Sequence, residues 1–543
     1  MQTPGARRRA TISLITAAAV GALIAGCTSS GTISSSQSSG GSSSQSSQPS
    51  GPNGKYSSVD DFYGQKVSWG ACTTAPADAP DTDLSAFKCG TYDVPLDYTK
   101  PTGASVKIAV VKWAAADPSK KVGSLLTNPG GPGASGVDFV EEAKKQFDGT
   151  LHANFDIIGF DPRGLGRSQP IKCLSDKQQD TLNQVDAPTD PAARKAKADQ
   201  DAKDFAAACQ ANSGNLLPFV GSRNVAHDMD VLRQVLGDKK LNYLGISYGT
   251  YIGSMYADQF PKNVGHVILD GAVDPNADQL ESNVQQQIGF EKSLENFTKD
   301  CITNHAADCP VSGDPNAAAV KIGKFLDGLR DHPLGTKDPS GRKLDSTLGW
   351  TGVLIGLYGD ANSGWWDYLR QGLAAAMAGD GSVLLSGSDQ YNGRDKSGHY
   401  STEQDGLVAV RCADFAQPTP TPDAVQKAYN EIKAGAPILN SDIAPGDLSE
   451  PMCQDWPVHS TQQPQIVKAE GSDPILVVGT TDDPATPYQN AVNLAKGFAN
   501  ARLLTRVGEG HAAFGAGNAC IDSAMNAYLV SGTLPADGTR CTA

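Results

Sequence analysis

From about residue 105 the chain alternates short apolar runs with helix-length segments, and this rhythm limits the folds open to it. Val106 to Trp113, Leu125 to Asn128, Phe155 to Phe160, Leu241 to Ile246, Val264 to Leu269, Pro474 to Val478 and Leu503 to Val507 read as strands. Asn224 to Leu236 carries apolar residues at helical spacing, and Thr250 to Gln259 reads as a second helix. Strands that are apolar throughout must be buried on both faces, which a parallel sheet clad in helices provides. The rhythm stops between Asp274 and Asp473. There Glu291 to Lys299, Val320 to Arg330 and Trp365 to Met377 are helix-like and strand-like runs are few. The expected class is α/β: a mostly parallel sheet over 59–273 and 474–543, with a helical cap inserted over 274–473.

The run Leu241 to Ile246 leads into Gly245-Ile246-Ser247-Tyr248-Gly249, a G-x-S-x-G between strand and helix. Such a turn lifts a serine hydroxyl clear of the sheet edge, and the glycines relieve the crowding it creates. Ser247 is therefore the candidate nucleophile. A serine nucleophile needs a base and a group that orients the base. In α/β-hydrolases the chain order is Ser, acid, His. His511, in Gly508-Glu509-Gly510-His511-Ala512 after the last expected strand, meets that order. The acid should follow the penultimate strand, where Thr480-Thr481-Asp482-Asp483-Pro484-Ala485-Thr486-Pro487 offers two neighbours. Asp483 is favoured, with Asp482 capping the turn; Asp270 and Asp274, after an earlier strand, are the alternatives. The backbone N–H of Tyr248 is one expected oxyanion donor. The second is assigned to Gly131, in the Gly130-Gly131-Pro132-Gly133 loop after an early strand.

The N-terminus points to export. Arg7, Arg8 and Arg9 precede an apolar stretch that ends in Leu23-Ile24-Ala25-Gly26-Cys27, which resembles a bacterial lipobox. The expectation is a lipoprotein signal peptide over 1–26, lipidation at Cys27, and a Ser/Gly-rich tether over 27–58. The alternative is an ordinary cleaved leader and a free secreted enzyme. Eleven cysteines less Cys27 leave an even number, as a disulfide framework requires. Ten cysteines allow about 945 pairings. Pairing of sequence neighbours is the simplest expectation: Cys72–Cys89, Cys173–Cys209, Cys301–Cys309, Cys412–Cys453 and Cys520–Cys541. With 59 acidic against 45 basic residues and no basic run beyond the N-terminus, nothing favours nucleic acid as a partner. No CxxC occurs and no two histidines lie at helical spacing, so no zinc site is expected, and a Ser-Asp-His mechanism requires neither a metal nor an organic cofactor.

Taken together, the GGPG loop, the D-P-R-G-x-G-x-S string from Asp161, the G-x-S-Y-G elbow, the D-P-x-T-P string and the late Gly510-His511 resemble the secreted actinobacterial tripeptidyl aminopeptidases. These are α/β-hydrolase serine exopeptidases similar to proline iminopeptidases, and the resemblance spans about residues 60 to 541. In that family the catalytic aspartate directly precedes the proline, which selects Asp483 over Asp482. Proline iminopeptidases carry H-G-G-P-G where this chain has Pro129-Gly130-Gly131-Pro132-Gly133, so the histidine is lost and the donor glycine kept. Val410-Arg411-Cys412-Ala413-Asp414 also resembles a family string, with Cys412 read as structural. The resemblance implies a peptidase acting on a free amino terminus and cleaving a few residues in; with the leader read above, a monomer outside the cytoplasm is expected, touching the membrane only through its lipid anchor. Glu281, Glu291 and Glu295, early in the cap, are candidates to meet the substrate ammonium. Two rival readings are an esterase or lipase using the same triad on acyl esters, and a non-catalytic surface binding protein.

Overall fold

The computed structural model describes residues 56–542, apart from 77–78, 148, 185–187 and 449–452. The expected leader, Cys27 and the tether up to residue 55 lie outside the described residues. One sheet of ten strands runs through the described chain. The strands are β1 (Gly70–Ala71), β2 (Phe87–Pro95), β3 (Ser105–Trp113), β4 (Gly123–Asn128), β5 (Phe155–Phe160), β6 (Leu241–Ile246), β7 (Val264–Asp270), β8 (Ile475–Asp482), β9 (Ala501–Glu509) and β10 (Thr539–Cys541). Their spatial order is β1-β2-β3-β5-β4-β6-β7-β8-β9-β10. The first three pair antiparallel with their neighbours, and every pairing from β5 to β10 is parallel.

Successive side chains of a strand point to opposite faces, and the core divides accordingly. Leu126, Ile158, Tyr243, Val267 and Val477 join one cluster, with Val225, Met229 and Tyr256 from the covering helices. Their sequence neighbours Leu125, Ile157, Leu244, Ile268 and Leu476 join the other, with Val140, Phe147, Ile521 and Met525. All seven expected strands form, several with longer ends. Three more were not foreseen. β1 and β10 have two and three residues, too few for any periodicity to show. β2 mixes Lys88, Gly90, Asp93 and Pro95 into its run, because it lies near an edge where one face is partly wet.

The segment 274–473 is helical, as its pattern implies, but richer than expected. The helix around Glu291–Lys299 spans Gln279–Asn304, and Pro315–Gly328 and Trp365–Met377 also form. Ser346–Leu357, Ser382–Tyr391, Glu403–Asp414 and Pro422–Gly435 are additional. Ser346–Leu357 escapes a periodic reading because it is apolar nearly all round and buried on most sides. Phe290, Leu294, Phe297, Ile322, Leu348, Val353, Trp366 and Leu373 give this segment a hydrophobic core of its own. The helix Glu403–Asp414 differs: Ala409, Val410 and Cys412 pack into the sheet's own core. Five disulfides join Cys72–Cys89, Cys173–Cys209, Cys301–Cys309, Cys412–Cys453 and Cys520–Cys541, the nearest-neighbour pairing.

Candidate active site

Strand β6 ends at Ile246 and the next helix begins at Tyr248, so a single residue turns the chain. That residue, Ser247, has φ 54° and ψ −126°, a conformation that costs an L-residue about 1–3 kcal/mol. Three bonds hold it there. Its N–H donates to the Asp270 carbonyl at 2.9 Å, and its carbonyl accepts from the Thr250 N–H at 2.8 Å and the Thr250 hydroxyl at 2.6 Å. The flanking glycines are needed for closeness. A Cβ on Gly245 would lie 2.5 Å from the Gly249 carbonyl oxygen, and one on Gly249 would lie 2.5 Å from that of Asn128.

His511 follows β9, and its side chain is buried. Its Nδ1 lies 2.9 and 3.0 Å from the two Asp483 oxygens. An ionised carboxylate only accepts, so Nδ1 carries the proton and Nε2 presents a lone pair. That Nε2 is buried with no hydrogen-bond partner among the described residues. The main chain is held as well, His511 N–H donating to the Tyr358 carbonyl at 2.8 Å. Asp483 is saturated. Oδ1 accepts from Ala485 N–H at 3.0 Å and Thr486 N–H at 2.8 Å, and Oδ2 from Ala512 N–H at 3.0 Å and the Thr486 hydroxyl at 3.1 Å. The same hydroxyl lies 3.3 Å from His511 Nδ1. Thr486 is a site residue that sequence reasoning passed over; its place three residues after Asp483, within one turn, was the available sign.

The other candidate acids lie elsewhere. Asp482 is exposed at the end of β8, opposite Glu509. Asp274 accepts from Asn276 N–H and Asn493 Nδ2, both at 2.9 Å. Asp270 supports the histidine loop: its carboxylate accepts from Ala513 N–H at 2.9 Å and Phe514 N–H at 2.7 Å, while its carbonyl holds Ser247. Burial pushes its carboxyl up to about 6, although those amides pull the other way. Nucleophile and histidine loop therefore share one anchor. Gly271 lies between them, where an added Cβ would come within 3.2 Å of His511 Cε1.

The glycine loop after β4 presses on the elbow. A Cβ on Gly130 would sit 2.6 Å from the Ile246 carbonyl oxygen and 2.7 Å from Tyr248 N. Gly130 and Gly131 adopt φ of 99° and 104°, open to glycine and strained for other residues. Tyr248 opens its helix, so its N–H has no acceptor one turn back. The D-P-R-G-x-G-x-S string supports this loop from behind. Asp161 accepts from the Ser135 hydroxyl at 2.6 Å, Val137 N–H at 3.1 Å and Arg167 N–H at 2.6 Å. Arg163 makes a buried two-pronged pair with Asp228.

The three cap glutamates share the helix Gln279–Asn304 but differ in burial. Glu281 is exposed in the first turn of Gln279–Asn304. Glu295 is half exposed beside Lys292. Glu291 is buried, and its two oxygens accept from the Ile438 and Leu439 N–H groups at 2.9 Å each. Its charge is thus already engaged in tying the helix to that loop.

A sheet of this order, a strained serine between strand and helix, and an Asp–His pair on later loops define the α/β-hydrolase class. Sequence comparison agrees: residues 123–310 match the alpha/beta hydrolase fold family, and residues 442–541 match the TAP-like protein family. The chain is 37% identical to serine protease Hip1 of Mycobacterium tuberculosis, over 90% of this chain and 93% of that one. It is 38% identical to carboxylesterase B of the same species, over 87% and 89%. It is 30% identical to the tripeptidyl aminopeptidase of Streptomyces lividans, over 88% and 86%. The chain belongs to the tripeptidyl aminopeptidase-like family of α/β-hydrolases and is a serine hydrolase of the peptidase kind. Its five disulfides suit an oxidising, extracytoplasmic compartment.

Proposed function

We propose that the protein is an exported exopeptidase that releases short peptides, tripeptides foremost, from free amino termini. Ser247 attacks the scissile carbonyl while His511 Nε2 takes its proton. Asp483 orients the imidazole and stabilises the imidazolium. The N–H groups of Gly131 and Tyr248 stabilise the tetrahedral oxyanion, each worth roughly 2.7–4 kcal/mol. His511 then protonates the leaving amine, and water, deprotonated by the same histidine, releases the acyl group. The partner is a peptide and the working unit a monomer, held to the membrane by a lipid on Cys27.

The observation that carries this reading is the buried Asp483–His511 pair at 2.9 Å, on the same sheet edge as the strained Ser247. Exopeptidase action requires an acidic group to meet the substrate ammonium. Glu281 and Glu295 remain available for it, whereas Glu291 would first have to release two backbone amides. The test is one tripeptidyl chromogenic substrate with and without an N-acetyl group. Acetylation removes the ammonium charge; where the cap closes over the bound end and buries the facing carboxylate, that group is left unpaired, a penalty of about 3–5 kcal/mol. A loss of roughly a hundredfold or more in kcat/KM is expected. The second reading, an esterase, rests on the equal likeness to carboxylesterase B. It expects equal rates for the two peptides and faster turnover of simple acyl esters.

A further inference from the structure

The string Val410 to Asp414 ends in a buried carboxylate that the triad does not use. Asp414 closes the helix Glu403–Asp414, and its Oδ2 accepts from the phenol of Tyr248 at 2.7 Å. The Ser222 hydroxyl donates to the same oxygen, and the Ser222 N–H donates to Oδ1 at 2.6 Å. Gly221 leaves room for it, since a Cβ there would lie 2.9 Å from Asp414 Oδ1. Phe415, the next residue, sets its ring edge-on to Tyr248, with centroids 6.2 Å apart. Burial pushes the Asp414 carboxyl up and the hydrogen bonds from Ser222 and Tyr248 pull the other way, leaving it raised to about 6.

A buried carboxylate is a costly way to dock a helix, because apolar packing does the same with no desolvation penalty. What this carboxylate adds is a directional hold on two residues, Ser222 and Tyr248. Tyr248 has its phenol fixed by Asp414, and its peptide N–H opens the helix after Ser247, where the proposed mechanism places the reacting carbonyl. We propose that Asp414 is a positioning residue for the oxyanion donor, acting through the Tyr248 phenol, and that the returning helix of the inserted segment thereby tunes the catalytic step. The proposal rests on the reading of Tyr248 N–H as an oxyanion donor. Its effect is geometric: the carboxylate touches no reacting atom, but a donor displaced by part of an ångström loses much of its value.

The experiment compares Tyr248→Phe, Asp414→Asn and the double variant, with Ser247→Ala as a control, on a free-amino tripeptidyl substrate and a fluorophosphonate. Tyr248→Phe keeps the ring and the backbone donor and removes only the phenol. Each single variant is expected to lower kcat and the phosphonylation rate about tenfold with KM within twofold, a split that general loosening of the fold does not produce. The double variant should be no slower than the slower single one, because both break the same link. Wild-type kcat in Tyr248→Phe overturns the proposal, and so does a double variant whose losses multiply to about a hundredfold. If Asp414→Asn fails to fold, Tyr248→Phe alone decides. Turnover persisting in Ser247→Ala would instead overturn the underlying triad reading, and so separates the two failures.

Discussion

The sheet region and the inserted helices build stability differently. In the sheet, neighbouring residues such as Leu125 and Leu126 serve two cores at once, and the loops at one edge carry Ser247, Asp483 and His511. The helices between residues 279 and 391 largely pack on one another. Several of their residues reach the sheet's loops. Gly289 lies so close to Pro484 that a Cβ would come within 2.5 Å of its carbonyl oxygen. Gln286 Nε2 donates to the Ala485 carbonyl at 2.8 Å, and the Tyr358 carbonyl holds the His511 N–H. The contrast teaches a division of labour: the sheet edge carries the candidate reacting groups, and the insertion braces the loops that bear them.

The sharpest way to break that contrast is to remove the nucleophile. Ser247→Ala should lose at least about 10⁴-fold in kcat while keeping its melting temperature. Burst-free kinetics with calorimetry would show it, and substantial turnover in a folded preparation would place the chemistry elsewhere. Next comes the acid. Asp483→Asn should lower kcat by roughly 10⁴, because an amide can hold the wrong His511 tautomer. Asp482→Asn, one residue away but exposed, should stay within about tenfold of wild type. The reverse result would shift the acid by one position.

Asp270 offers a smaller, pH-dependent test. Its carboxyl is pushed up to about 6 in the fold, against 3.8 ordinarily. The folded state then holds the proton more tightly, so this group's stabilising contribution is complete below about pH 4 and is lost as pH rises through about 6. Asp270→Asn cannot titrate. The stability of wild type relative to this variant should therefore fall by up to about 3 kcal/mol between pH 4 and pH 7, read from urea unfolding. A flat difference would mean that the amides of Ala513 and Phe514 fully offset its burial. The smallest effect is the difference between two disulfides, about 1.5 kcal/mol on loop-closure entropy. Cys412–Cys453, spanning 41 residues, should contribute about 4 kcal/mol on loop-closure entropy, and Cys301–Cys309, spanning 8, about 2.5. Serine replacement of each pair, followed by thermal unfolding, would rank them; the opposite order would show that strain or residual structure dominates.

The strands from β3 to β9 were legible because each holds a short, mostly apolar run, and the elbow because its glycines and serine sit between a strand and a helix. The insertion was less legible. Helices such as Ser346–Leu357 are buried nearly all round, so amphipathic spacing vanishes, and Glu403–Asp414 shows nothing in sequence of which core it serves. Thr486 and Tyr358 were passed over because one contributes a hydroxyl and the other only a carbonyl, groups that no composition marks.

By itself the sequence determined the α/β rhythm, the serine turn, the chain order of Ser247, Asp483 and His511, and an even set of cysteines once Cys27 is set aside. All of these are local patterns that need only periodicity, turn chemistry and counting. Tertiary structure alone decided which partners meet. It left Asp482 exposed and set Asp483 against His511, although the two aspartates are adjacent. It gave Asp270 to the histidine loop, engaged Glu291 with backbone amides, and brought Asp414 against Tyr248 from 166 residues away. The physical reason is burial. A carboxylate taken out of water must find donors wherever the packed chain brings them, and sequence distance has no part in that choice.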